Sequence, residues 1–379
     1  MPQERPHLFA AACALFLLSL GLSVSIGPLA LRRRSFATLV DFPGGSLAHR
    51  VAVPLVGGLV LWLSVAGSLA LSAVTFFLTR SVLPEAISRY VDGLWYRSGE
   101  LLLILGLATL LLIAGTLADL FGGGWKNWLA VQVVVAALLA LGGVRVSLFG
   151  PINDPRLGGL VSVVWVVTLV NAFAFLDNLD GLAAGVGLIA SVLFAATQAQ
   201  VGSLFAPALL LIVAGSLLGT WRYCRYPARF FLGRGGTWFL GFLLGATTIA
   251  GTYYRYGAHE NPNSVLSPVL VMAVPFYESV VVLFRWLSER RQPDGFDPRH
   301  DSYRLGELGM SPSRAVWLLL LVSLGAGLGS LLLSRLDTFG TIVLLGQTAC
   351  LIGLVALLEV SALQRGLARR RDQAHDLAR

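Results

Sequence analysis

Apolar residues fall along the chain in blocks of roughly 20, separated by short polar stretches. The blocks cover about 8–31, 53–79, 100–118, 128–149, 157–176, 179–199, 203–221, 236–254, 266–287, 313–334 and 339–363. Each is close to the roughly 20 residues that a helix needs to cross a bilayer. Backbone polar groups facing lipid have to be paired within their own segment, which favours helices. The pattern therefore predicts an all-α polytopic membrane protein with about eleven transmembrane helices. Residues 1–379 read as a single integral membrane unit with a short C-terminal tail at 364–379. The longest polar insert, about 288–312, is too short to fold alone, and no solenoid-type repeat is visible.

Composition narrows the class. Hydrophobic residues make up 56% of the chain and charged residues 13%, against about 25% charged in soluble domains. The net charge of +8 could point to nucleic acid, but the basic residues gather in loops between apolar blocks, as membrane topology demands. With the N-terminus outside and the C-terminus inside, 20 of the 28 basic residues share the cytoplasmic face. The arginines at 32–34 follow the first apolar block, and no small-residue cleavage site precedes them. That order predicts a retained first span. Cys13, Cys224 and Cys350 are far apart, with no disulfide or metal-site spacing.

In this topology the polar segments 41–58, 117–128, 175–181, 222–236 and 288–312 share the cytoplasmic face, bringing Asp119, Asp177 and Asp180 to span ends. Carboxylates at membrane depth cost about 2.5–3.5 kcal/mol each on insertion scales, so several kept on one face suggest use there. The stretch "NAFAFLDNLDGLAAG" places Asn171, Asp177, Asn178 and Asp180 within ten residues. Asp177 and Asp180 are three apart, on one side of a helical turn. Carboxylates beside amides suit a hard cation such as Mg²⁺, which keeps waters and recruits substrate phosphates. Helix capping by the same aspartates explains the pattern equally well. The arginines at 222, 225, 229, 234, 285, 290, 291, 299 and 304 suit phosphates, although positive-inside bias accounts for most of them.

These residues also carry a family resemblance over nearly the whole chain. "DFPGG" with His49 and "VPLVGG", "LADLFG" with Gln132, "NAFAFLDNLDGLAAG", "FLGRGGTWFLGF" and "PFYESVVVLFRWL" with "DPRHDSYRLGELGMSPSRAV" keep a motif order. It resembles that of the polyprenyl-phosphate N-acetylhexosamine-1-phosphate transferases, and the eleven-span branch that loads N-acetylglucosamine-1-phosphate is the more similar. The resemblance implies transfer of a sugar-1-phosphate from a UDP-sugar to a polyprenyl phosphate, with Mg²⁺, at the cytoplasmic face of the inner membrane, releasing UMP. Such a reaction would open a cell-envelope glycan pathway. It implies Asp119, Asp177 and Asp180 as catalytic residues, with Asp177 and Asp180 as metal ligands. Asn171, Asn178, Arg234, His300, Arg304, Lys126 and His49 are implied as substrate contacts, and a homodimer is implied as the assembly.

The chain departs from the family pattern at several positions. Ala118 replaces the first Asp of an acidic pair, and Ala174 and Asn178 replace an Asn and a Gly of the signature. Arg234 stands where the family has a metal-binding Asp, and Ser302 and Tyr303 stand where it has histidines. Two functional readings follow: a divergent transferase, or a relative that binds polyprenyl phosphate or nucleotide, or serves as a partner subunit, without turnover. A transporter fits less well, because span middles are nearly free of charge and no repeated broken helices are visible. If there is an active site, Asp119, Asp177, Asp180 and Arg234 converge on one cleft.

Overall fold

The structure is a computed structural model that describes residues 5–32, 40–41, 53–79, 93, 96–146, 154–251, 253, 262–289 and 308–377. Helices follow one another as α1 (Arg5–Arg32), α2 (Gly57–Thr79), α3 (Ser98–Phe121), α4 (Trp125–Leu141), α5 (Pro155–Leu176) and α6 (Leu182–Gln200). They continue as α7 (Phe205–Cys224), α8 (Gly233–Ala250), α9 (Ser267–Val271), α10 (Ala273–Glu289), α11 (Pro312–Leu328) and α12 (Thr338–Leu377). One two-residue antiparallel ladder, β1 (Val40–Asp41) with β2 (Val53–Pro54), precedes α2.

Ten of the eleven apolar blocks coincide with one helix each, and the block at 266–287 is divided between α9 and α10, so the protein is all-α and multi-pass. Among the described residues, eight helices are long and apolar enough to cross a bilayer. The pair Pro262–Val271 and Ala273–Ser288, bent by 59°, brings the number to nine if it is one span. The two remaining blocks, α4 and α8, fall outside that set, so the count of eleven rests on the sequence pattern. Helix α4 has 17 residues, about 26 Å at 1.5 Å per residue, slightly less than the roughly 30 Å apolar layer. Helix α8 is surrounded by α2, α3 and α5 and buried along nearly its whole length. A helix enclosed by other helices does not face lipid, so glycines and an arginine are tolerated in it.

The outside of the bundle is apolar. Phe77, Leu102, Phe121 and Leu141 are 81%, 69%, 80% and 83% exposed, an arrangement that water would penalise and lipid does not. Inside, hydroxyls are satisfied within their own helices, as when Ser68 donates to Ser64 O and Thr116 to Leu112 O, or between helices, as when Trp62 donates to Thr109 and Trp165 to Thr248. The buried Glu359 of α12 accepts from Tyr277 of α10 at 2.7 Å.

Two contacts set the geometry that matters for function. Helices α2, α3 and α8 approach through glycines: a Cβ on Gly58 would lie 2.5 Å from Gly236 Cα, and one on Gly115 would lie 2.6 Å from Gly235 N. Helix α1 packs on α7, where Ser23 and Thr220 hydroxyls pair at 3.1 Å and the Tyr223 hydroxyl donates to Val24 O at 2.9 Å. Tyr223 in turn stacks on Phe230, with ring centroids 5.4 Å apart. The N-terminal helix thereby supports the segment that leads into α8.

The ends of the helices define two faces. Arg97, just before α3, donates to Ala250 O at the end of α8, while Asp119, near the end of α3, meets Arg234 at the start of α8. These contacts lie at opposite ends of an antiparallel pair.

Candidate active site at the start of α8

Residues 228–234 form the hub. They connect α7 to α8, and their backbone is held from three directions. Phe231 N donates to Pro54 O at 3.0 Å, while Gly57 N and Gly58 N donate to Phe231 O and Leu232 O at 2.9 and 3.1 Å. Three carboxylates from two other helix ends complete the frame. Asp180 Oδ2 accepts from Ala228 N at 2.9 Å, Asp177 Oδ2 from Gly233 N at 3.0 Å, and Asp119 Oδ2 from Arg234 N at 2.9 Å.

The local chemistry explains why these residues stand here. The first N–H groups of a helix lack intrahelical partners. Two of those at the start of α8 are met by Asp177 and Asp119, and carboxylates there also complement the helix dipole. Gly233 adopts φ +70°, and a Cβ on it would come 2.9 Å from Asp119 Oδ2, so the turn needs a residue without a side chain. Asp177 ends α5, and Gly181, at φ +82°, opens α6. The connection between those helices is therefore short, and it delivers Asp177 and Asp180 together.

Arg234 adds the positive charge. Its Nε is 3.7 Å from Asp119 Oδ1, and its side chain is 38% exposed against 10% for Asp119. The guanidinium is thus anchored at one edge and open at the other. Such a group can bind a phosphate through several N–H donors at once.

The remaining expected site residues divide. Asn178 lies beside Asp177 and donates to Phe175 O. Asn171 sits deeper in α5, where Nδ2 donates to the buried Gln132 at 2.7 Å and to Val167 O at 2.8 Å. That places its amide nitrogen in helix packing, away from the hub. Lys126 is exposed on the first turn of α4, its Nζ 5.8 Å from the Trp125 ring. Ala118 is buried on α3 at 2% exposure, where an aspartate would face the core. His49, His300 and Arg304 lie outside the described residues. The hub's backbone N–H groups at 228, 233 and 234 are site features that no side chain in the sequence announces.

Fold and site together define a multi-pass membrane protein with a carboxylate-and-arginine cluster at one membrane face. The model of glycosyl transferase family 4 matches residues 101–252, which include the hub and all three aspartates. The chain is 30% identical to a decaprenyl-phosphate N-acetylglucosaminephosphotransferase of Mycolicibacterium smegmatis, over 87% of this chain and 82% of the relative. A protein of the same description from Mycobacterium tuberculosis is also 30% identical, over 89% and 84% of the two chains. An undecaprenyl-phosphate alpha-N-acetylglucosaminyl 1-phosphate transferase of Thermotoga maritima is 27% identical, over 69% and 70%. The chain belongs to this family of polyprenyl-phosphate N-acetylglucosamine-1-phosphate transferases.

Proposed function

We propose that this protein transfers N-acetylhexosamine-1-phosphate from a UDP-sugar to a polyprenyl phosphate at the cytoplasmic face of the inner membrane, releasing UMP. The observation that carries the reading is the convergence of Asp119, Asp177, Asp180 and Arg234 on one backbone segment, in a chain whose relatives are named as decaprenyl-phosphate N-acetylglucosaminephosphotransferases. In the reaction an oxygen of the lipid phosphate forms a bond to the sugar-bearing phosphorus of the donor. The bond from that phosphorus to the bridging oxygen breaks, and the oxygen leaves with UMP. A phosphate monoester is largely dianionic at neutral pH, with a second pKa of about 6, so the nucleophile needs placement more than deprotonation. Arg234, held by Asp119, would orient the acceptor phosphate and offset its repulsion of the donor diphosphate.

Mg²⁺ fits the donor chemistry at Asp177 and Asp180. Among the described residues no three His, Cys, Asp or Glu side chains are grouped. Mg²⁺ is commonly held by only one or two carboxylates together with substrate phosphates and waters. When bound it would neutralise charge on the donor diphosphate. Asp177 and Asp180 would fix its place against the hub.

A second reading is a binding protein without turnover. It draws on the backbone bond that each of the three aspartates makes to the hub, which a purely structural role also explains. The purified full chain, incubated with undecaprenyl phosphate, Mg²⁺ and a panel of UDP-sugars, is expected to release UMP with at least one donor. Binding of the lipid phosphate or nucleotide with no UMP from any donor would establish the second reading.

A further inference from the structure

The last turn of α7 serves both parts of the site, the hub segment 228–234 and the turn that carries Asp177 and Asp180. Tyr223 supports the hub, through its stack on Phe230 and the bond from Arg229 N to Tyr223 O at 2.8 Å. Trp221, two residues earlier, supports the aspartate turn. Its Nε1 lies 3.1 Å from where a Cβ would stand on Gly181, and again 3.1 Å from one on Gly185. The indole therefore rests on the backbone that opens α6, directly after Asp180. Arg225 Cα comes equally close to Gly181, 3.1 Å from the same Cβ position, so the end of α7 and the start of α6 meet backbone to backbone.

The indole is held on its other sides too. Trp317 of α11 meets it edge to face, with ring centroids 5.7 Å apart. The Arg225 guanidinium lies 5.9 Å from its centroid. Trp221 Nε1 is buried and has no hydrogen-bond partner among the described residues. A buried N–H without a partner is a cost that a plain hydrocarbon ring does not carry, so what this position uses is the reach and flatness of the ring. The turn it supports moves as a unit. Asp177 and Asp180 both stand within four residues before Gly181, and their Oδ2 atoms accept from Gly233 N and Ala228 N of the hub. Asp119, which accepts from Arg234 N, comes from α3 and has no part in that turn.

We infer that Trp221 is a positioning residue: packed on Gly181 and Gly185, it sets the turn that holds Asp177 and Asp180 against the hub. Loss of its ring loosens two of the three carboxylates and leaves the third in place. A general loss of packing would loosen all three alike. The consequence for turnover rests on the transferase reading above, whereas the structural consequence stands without it.

The test is amide hydrogen exchange at residue resolution on the full chain in nanodiscs, which reads local opening. In Trp221→Leu the amides of Ala228 and Gly233 are expected to exchange several-fold faster, while that of Arg234 keeps its rate. Trp221→Phe, which leaves an aromatic ring on the glycines, should stay close to the parent. Trp317→Leu removes the ring pair from the far side, and should lower the thermal midpoint without changing these rates. If Trp221→Leu fails to fold, Gly181→Ala disturbs the same turn from the other side, because Gly181 holds φ +82°, and the same two amides should open. Under the transferase reading, kcat for UMP release in Trp221→Leu should fall about tenfold or more, within the roughly 10²-fold that a 1 Å misplacement costs. The KM for undecaprenyl phosphate should hold, and Trp221→Phe should restore kcat. Faster exchange at all three amides alike, unchanged rates in Trp221→Leu, an equal effect of Trp317→Leu, or Trp221→Phe behaving as Trp221→Leu would overturn the inference. A parent chain that releases no UMP would remove the transferase reading and leave the exchange pattern to decide the role of Trp221.

Discussion

Asp119, Asp177 and Asp180 each give one oxygen to a backbone N–H of the same segment. The role of each can therefore be separated by a change that keeps the acceptor and removes the charge. Asparagine caps a helix about as well as aspartate, so Asp177→Asn and Asp180→Asn should leave the thermal midpoint in detergent almost unchanged. UMP release should fall on the order of 10²-fold, as when one preorganised electrostatic group is lost from a site. Unchanged turnover with a lowered midpoint would assign both residues to capping alone. The spacing of Asp177 and Asp180 was legible in the sequence. The identity of their partners was not, because Ala228 and Gly233 present only backbone donors, which no residue pattern announces.

At the scale of elements, the site depends on how closely α3 can approach α8. Gly115 lies one turn before Asp119, and a side chain there would strike the backbone of Arg234 and Gly235. Gly115→Val should therefore cost about 1–3 kcal/mol by overpacking, lower the thermal midpoint, and separate Asp119 from Arg234 with loss of transfer. Gly106, on the same helix, has nothing within 4 Å of its would-be Cβ, and Gly106→Ala should be neutral or stabilising. Denaturation of the two variants side by side checks the contrast. The apolar blocks placed the helices except that they ran α9 and α10 together, and they did not distinguish α8 from its neighbours. Its glycines read as ordinary small residues until the packing set Gly58 against Gly236 and Gly115 against Gly235.

At the scale of the whole molecule, the charge distribution assigns a direction to the bundle. Arg222, Arg225, Arg229 and Arg234 cluster where the three aspartates meet, whereas Arg97 lies at the opposite end of α3. Helix α12 continues as helix to Leu377, beyond its apolar part, Thr338–Ala362, and carries Arg365, Arg369, Arg370 and Arg371. A fluorescent protein fused after Arg379 should be bright in cells, and alkaline phosphatase at the same point should be inactive. At the N-terminus the pattern should reverse. A bright N-terminal fusion would refute the eleven-span orientation. The sequence by itself determined the class of the protein, because transfer of apolar segments into lipid depends on composition over about 20 residues. It also determined which loops carry charge. Only the tertiary structure decided that α3, α5 and the loop before α8 meet at one point, since that depends on packing between segments more than 50 residues apart. The same packing leaves an apolar cavity of about 250 Å³ beside Gly235 and Gly236, a shape made by α2, α3 and α8 together and written in none of them.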